Sequence, residues 1–209
     1  MVSESNLDNR FLFDSHSVEG IVDFNEVFGR VAPLHIEIGS GRGTFLVSQA
    51  QAFPEINFIG IEWASRYYRY AADRLARWDI RNVRMVRDDA ADFIAEHLAD
   101  ETVDWYHIYF PDPWPKKRHN KRRMLCDENL AQMIRTLKPG GIINVATDHI
   151  DYFDQMEKVL LDPVKSHIEQ VPYTRPVGAR DGEYAGTNFE RKYLVEGRKI
   201  NTIAVRKKG

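Results

Sequence analysis

The chain has one cysteine, Cys126, in 209 residues, which excludes an internal disulfide and any multi-cysteine metal site and fits a reducing compartment. None of its seven histidines stands at a metal-ligand spacing from Cys, Asp or Glu, so no metal is expected. The first ten residues, Met-Val-Ser-Glu-Ser-Asn-Leu-Asp-Asn-Arg, lack the cationic start and apolar core of a signal peptide. No apolar run approaches the length of a membrane span, so the expectation is a cytoplasmic protein with no membrane partner. Repeats and low-complexity tracts are also lacking. The formal charge is only −2, which excludes a globally basic surface that would bind polyanions indiscriminately.

What is present is a local concentration of charge. Residues 109–123 read Tyr-Phe-Pro-Asp-Pro-Trp-Pro-Lys-Lys-Arg-His-Asn-Lys-Arg-Arg. Pro111, Pro113 and Pro115 fix their own φ and push their neighbours toward extended backbone, so Asp112 and Trp114 are presented on a stiff segment. Lys116, Lys117, Arg118, Lys121, Arg122 and Arg123 follow with no acid among them. Set against the total of −2, these six cations leave −8 on the rest of the chain. A basic cluster on an acidic body suits a structured nucleic acid gripped by one face. If all six cations met phosphates, the log–log salt slope of binding would be on the order of −5, by analogy with duplex DNA. A solvated basic loop is the plainer alternative.

An apolar content of 43% with 11% aromatics supports one well-cored domain. Residues 1–30 are patterned only for a short helix and loop, which gives an arm over 1–30 and a single domain over 31–209. From residue 34 onward strand-like and helix-like patterns alternate, the mark of an α/β protein with a parallel sheet covered on both faces. Strands are predicted at Leu34–Ile38, Asn57–Glu62, Val83–Arg87, Val103–Phe110 and Ile142–Thr147. Helices are predicted at Thr44–Ala52, Ala64–Trp78, Ala90–His97, Glu128–Leu137 and Ile150–Leu160. The turn Lys138-Pro139-Gly140-Gly141 is expected to close one helix and release the next strand. Near the carboxyl end a β-hairpin of about Glu190–Glu196 with Lys199–Arg206 is expected to finish the sheet in antiparallel sense.

The first strand runs into Glu37-Ile38-Gly39-Ser40-Gly41-Arg42-Gly43-Thr44, where glycines permit a sharp turn and close approach of a ligand to the backbone. The dinucleotide pattern Gly-x-Gly-x-x-Gly would need glycine at 44, which is threonine. An acid ahead of the glycines suits a cationic ligand, and S-adenosylmethionine fits because its amino group and sulfonium are positive. Glu37 is placed to organise the methionine end. Glu62, at the tip of the second strand, is placed to accept from both ribose hydroxyls, as an NAD site would also require. Asp89 is placed for the adenine amino group, while Asp88 or Asp89 also reads as a helix N-cap.

In this order the segments Glu37-Ile38-Gly39-Ser40-Gly41, Glu62, Asp89, Phe110-Pro111-Asp112-Pro113-Trp114-Pro115-Lys116-Lys117-Arg118-His119 and Thr187-Asn188-Phe189-Glu190-Arg191-Lys192 resemble the TrmB-type tRNA (guanine-N7-)methyltransferases over roughly residues 33–206. The Pro-Asp-Pro-Trp-Pro-Lys-Lys-Arg-His run is the most specific element; the glycine loop and Leu137-Lys138-Pro139-Gly140-Gly141 are widespread among class I methyltransferases. The resemblance implies a Rossmann-like class I fold, a seven-stranded mostly parallel sheet with an antiparallel carboxyl-terminal hairpin and helices on both faces. It implies S-adenosylmethionine contacts at Glu37, Glu62, Asp89 and Asp112, beside Gly39 and Gly41, with Asp112 as the catalytic residue. Substrate contacts carry over to Lys116, Asp148, Thr187, Asn188, Phe189 and Glu190. Arg118, His119, Lys121, Arg122 and Arg123 are the implied RNA-interaction stretch, and the implied target is guanine 46 in the tRNA variable loop. Monomer and homodimer both remain open.

Guanine N7 carries a lone pair and no proton, so methylation needs no base to activate the nucleophile. Asp112 is expected instead to hold guanine N1–H and the exocyclic amine and to stabilise the charge that builds on the ring. N7 lies on the major-groove edge, so the base has to be turned out. Trp114 and Phe189 read either as stacking surfaces for it or as packing. Lys116 reads as a phosphate contact, Asp148 as a guanine contact or a helix cap, and Thr187 and Glu190 as pocket residues or a capping box. Three rival readings share parts of this pattern: a small-molecule methyltransferase, a non-catalytic RNA-binding module and a nicotinamide enzyme.

Overall fold

The computed structural model describes residues 7–162, 164–165 and 167–209, apart from the side chain of Lys117. The start of the expected arm, Pro163 and the Lys117 side chain therefore lie outside the described residues. The chain divides into two compact units, one through Ala99 and one from Asp100 onward.

In the amino-terminal unit the strands β2 (Leu34–Ile38), β3 (Asn57–Ile61) and β4 (Val83–Val86) run parallel, with Ile36 opposite Ile59 and Ile59 opposite Arg84. All of β3 is buried, as a strand covered on both faces must be. A two-residue strand, β1 (Leu12–Phe13), pairs parallel with β4, so the order within this unit is β1, β4, β3, β2. The helices are α1 (Phe24–Phe28), α2 (Thr44–Ala52), α3 (Ser65–Arg77) and α4 (Ala90–His97). Helix α3 shows why the pattern folds this way: Tyr68, Ala71, Ala72 and Leu75 recur at helical spacing and are buried, while its arginines line the other side.

In the carboxyl-terminal unit β5 (Val103–Tyr109) pairs parallel with β6 (Leu137–Thr147). Strand β8 (Asn201–Lys207) pairs antiparallel with both β6 and β7 (Ile168–Val171), giving the order β5, β6, β8, β7. Helices α5 (Asp127–Thr136), α6 (Ile150–Leu160) and α7 (Asn188–Val195) complete it. Tyr106 is fully buried, and its hydroxyl lies 2.6 Å from Thr136 Oγ1.

The predicted central strands and helices agree to within a residue or two, with three corrections. The described strands number eight rather than seven, the eighth being β1, too short to show any alternation. Lys138-Pro139-Gly140-Gly141 is an irregularity inside β6: pairing starts with Leu137 opposite Val103, shifts, and resumes with Ile142 opposite Trp105, with Gly140 at φ +82° between. The segment expected as the first hairpin strand, Glu190–Glu196, is helical. Thr187 caps that helix, its Oγ1 accepting from Glu190 N at 3.1 Å, and this local bond outweighs any strand pattern. Strand β7 takes the place expected for it.

Candidate active site

The glycine loop after β2 takes its bends from glycine backbone. Gly39, Gly41 and Gly43 have φ of +76°, +53° and +66°, and no atom lies within 4 Å of where a Cβ on Gly39 would stand. The amides of Gly39 and Ser40 donate to Ile61 O at 2.9 and 3.0 Å, which folds the loop over the end of β3. Glu62 then fixes it: Oε2 accepts from Gly41 N and Oε1 from Ala64 N, each at 2.8 Å, so one carboxylate ties the loop to the start of α3.

Glu37 sits beneath the loop, 4% exposed, and its Oε2 has no hydrogen-bond partner among the described residues. Burial pushes its carboxyl well above the ordinary range; a hydrogen bond from Ser40 opposes the shift and the charge of Glu62 adds to it. A buried carboxylate oxygen without a partner is costly unless a cationic donor meets it. The site therefore fits a ligand carrying an ammonium or sulfonium group.

Asp89 is exposed and caps α4, accepting from Ala91 N at 2.8 Å. Its buried neighbour Asp88 accepts from Asp89 N at 2.8 Å and from Ser15 Oγ at 2.6 Å, joining the amino-terminal segment to this corner. The cap reading of Asp89 is thus realised, and its exposed carboxylate is still presented outward.

In the carboxyl-terminal unit the proline loop after β5 is bent differently. Phe110 and Trp114, neither a glycine, have φ of +52° and +42° on either side of Pro111-Asp112-Pro113. Such backbone persists only where surrounding contacts enforce it, and it concentrates at functional sites. Asp112 is exposed at the crest. Trp114 meets His119 edge-on at 5.8 Å and lies under the Arg122 guanidinium at 5.0 Å, because Lys117–Arg122 turns back as a 3-10 helix. Lys116, Arg118, Lys121 and Arg122 are exposed, whereas Arg123 is 5% exposed.

Phe110 also contacts Tyr193 of α7, with ring centroids 5.7 Å apart, and Tyr193 contacts Phe189 at 6.2 Å. The Arg198 guanidinium covers Tyr193 at 4.4 Å and pairs with Asp148 at 2.7 Å. Burial raises the Tyr193 hydroxyl pKa, the charge of Asp148 adds to this, and Asp112 makes a smaller contribution. Asp148, Phe189 and Asp112 are therefore gathered around one tyrosine. His149, not Asp148, caps α6. Glu190 is fully buried, and its carboxylate accepts from the amides of Tyr184, Ala185 (2.9 Å) and Gly186 (2.7 Å). Thr187 is buried with it, while Asn188 and Phe189 remain exposed.

Residues 31–203 match the family described as a putative methyltransferase. The tRNA (guanine-N(7)-)-methyltransferase of Rhodopirellula baltica is 34% identical over 192 residues, which cover 90% of this chain and 70% of that protein. The enzyme of the same name from Alkalilimnicola ehrlichii is 35% identical over 187 residues, covering 90% and 78%. The chain belongs to the tRNA (guanine-N7-)-methyltransferase family.

Its fold is that of the class I methyltransferases. The aminoglycoside resistance methyltransferase NpmB1 superposes with a TM-score of 0.60 at 15% identity, covering 88% of this chain and 91% of that one. Phosphoethanolamine N-methyltransferase 2 of Haemonchus contortus, solved in complex with S-adenosyl-L-methionine, gives 0.56 at 16% identity, covering 89% and 51%.

Within this family member, three site features escape sequence reasoning. Tyr193 and Arg198 carry no motif signal because they act through a ring and an ion pair formed only by folding. Arg123 falls in the stretch that the resemblance assigns to RNA, yet it is buried. Its position immediately before Met124-Leu125, where Leu125 is fully buried, is the signal that separates it from the exposed cations.

Proposed function

We propose that this protein transfers a methyl group from S-adenosylmethionine to N7 of a guanine in tRNA, and that the guanine is number 46 of the variable loop. The observation that carries the reading is the buried, unpartnered Glu37 oxygen beneath a glycine loop in a chain of this family, since it asks for a cationic cofactor. S-adenosylmethionine supplies, when bound, an electrophilic methyl group on a sulfonium.

On this reading Glu37 holds the amino group at the methionine end, and the ribose diol shares Glu62 with the loop amides. Asp89 accepts from the adenine amino group while it caps α4. Asp112 accepts from guanine N1–H and the exocyclic amine, and its negative charge offsets the positive charge that develops on the purine ring. No proton has to leave N7, so Asp112 has no proton to accept and acts through its charge. Phe189 offers a stacking face for the extruded base. Lys116, Arg118, His119, Lys121 and Arg122 supply phosphate contacts whose strength depends on salt. Asn188 lies beside the base on α7, while Thr187 and Glu190 shape the segment that presents it.

The test is incubation of the pure protein with labelled S-adenosylmethionine and a tRNA transcript carrying guanine or adenine at position 46. The expected result is label in the guanine transcript alone, with strand scission at that position after borohydride and aniline treatment. Equal labelling of both transcripts would remove the position assignment, and label without scission would remove N7.

A further inference from the structure

The loop that carries Asp112 does not hold its shape through its prolines alone. Pro111, Pro113 and Pro115 set their own φ, but they do not enforce the left-handed bends at Phe110 and Trp114. The group that reaches into this segment is Arg123. Its Nε donates to Pro113 O at 2.8 Å, and its Nη1 donates to Gln155 Oε1 at 2.5 Å. Its guanidinium lies 4.7 Å from the centre of the Tyr152 ring.

Tyr152 and Gln155 stand three residues apart on α6 and so share one face. Both also grip the chain next to Arg123. Tyr152 Oη accepts from Leu125 N at 3.1 Å, and Gln155 Nε2 donates to Leu125 O at 3.1 Å. Burial pushes the Tyr152 hydroxyl up to about 12, so it stays a neutral partner at any working pH. Arg123 thus bridges a fixed helix face and the carbonyl immediately after Asp112. At 5% exposure it is withdrawn from the surface where a phosphate would meet it.

We propose that Arg123 is a positioning residue for Asp112 and not an RNA contact: its guanidinium fastens the Pro113 carbonyl to α6 and so holds the Phe110–Trp114 backbone in its bent form. The proposal rests on the assignment of Asp112 to the guanine. The planar fork suits the task, because two N–H groups reach acceptors in different directions from one rigid plane; a lysine ammonium on a flexible stem does not reproduce this.

The experiment compares Arg123→Ala and Arg123→Lys with the wild-type chain. Five quantities are followed: kcat, KM for tRNA, tRNA affinity against salt, amide hydrogen exchange at Phe110, whose N–H donates to Ala146 O at 2.8 Å, and recovery of turnover on adding guanidinium. Arg123→Ala should lower kcat by about 100-fold, the cost of displacing a reacting-site group by roughly an ångström. Its tRNA affinity and salt slope should match wild type, and added guanidinium should restore part of kcat. Arg123→Lys should fall between the two, and it carries the test if the alanine variant does not fold. Exchange at Phe110 should accelerate in both variants. A salt slope smaller by about 0.7–0.9 with kcat and exchange unchanged would overturn the proposal and return Arg123 to the RNA. The exchange measurement uses no substrate. A wild-type chain inactive on tRNA would sink the proposed function, while exchange alone would still decide whether Arg123 holds the loop.

Discussion

The glycine loop of the amino-terminal unit and the proline loop of the carboxyl-terminal unit solve the same problem with opposite chemistry. Each is bent by residues at positive φ, Gly39, Gly41 and Gly43 in the first and Phe110 and Trp114 in the second. The first gets there by removing side chains, so its left-handed residues are glycines and carry little strain. The second keeps Phe110 and Trp114 in the left-handed region and needs outside restraint. Each is also gripped by one charged side chain of the matching polarity. Glu62 accepts from amides of the glycine loop and the start of α3, and Arg123 donates to a carbonyl of the proline loop. On the proposed function the unstrained loop holds the cofactor and the strained one carries Asp112.

The largest difference between the two loops should come from Asp112→Asn, which keeps the shape of the proline loop and removes its charge. We expect kcat to fall by about 100-fold with tRNA affinity retained, the scale seen when one preorganised electrostatic group is lost. Near-normal turnover in steady-state assays would leave Asp112 a hydrogen-bonding residue only.

Next in size is Glu37→Gln beneath the glycine loop. Cofactor affinity measured by calorimetry should weaken roughly 10–100-fold, the worth of one charge-assisted hydrogen bond. The pH dependence has a definite sign. Burial raises the folded-state pKa of Glu37, so the ligand-free protein is stabilised by the protonated form below the unfolded carboxyl pKa. That contribution is lost as pH rises through the folded one. Thermal unfolding of the wild-type apo chain should therefore show a decline across that window that Glu37→Gln lacks. Cofactor affinity should rise with pH across the same window in wild type only.

A third test probes the rigidity of the strand behind the glycine loop. A Cβ on Gly60 would stand 2.3 Å from Leu46 Cδ1, 2.7 Å from Ser40 Oγ and 2.9 Å from Met85 Sδ. Gly60→Ala should cost about 1–3 kcal/mol in denaturant unfolding through overpacking, and it should disturb Ser40 at the loop base. The smallest effects belong to the exposed cations. Arg118→Ala, Lys121→Ala and Arg122→Ala should each reduce the salt slope of tRNA binding by about 0.7–0.9, a difference that Arg123→Ala should not show.

The glycine loop was legible in the sequence because its shape depends on residue type: glycines mark the bends, and an acid before them marks the ligand's charge. The central strands and helices were legible for a related reason, since their periodicities reflect burial directly. The proline loop was legible as a motif, but its restraint was not, because the bond from Arg123 to Pro113 spans ten residues and depends on α6. By composition Arg123 looks like its exposed neighbours; its place against Met124-Leu125 is the one sequence signal of its burial. Helix α7 covers the segment expected as a hairpin strand; Thr187 and Glu190 read as pocket residues or as a capping box, and Thr187 is seen to cap. In the structure the Glu190 carboxylate holds the amides of Tyr184, Ala185 and Gly186. Strand β1, two residues long, left no pattern to read.

The proposal that stands or falls first is methyl transfer to N7 of guanine under the charge of Asp112. Its most direct test is single-turnover methyl transfer to paired tRNA transcripts that differ only in guanine or 7-deazaguanine at the target position, run with wild-type protein and Asp112→Asn side by side. The expected result is label in the guanine transcript, none in the 7-deaza transcript, and a rate lower by about two orders of magnitude for the variant. Label in the 7-deaza transcript, or equal rates for the two proteins, would contradict it.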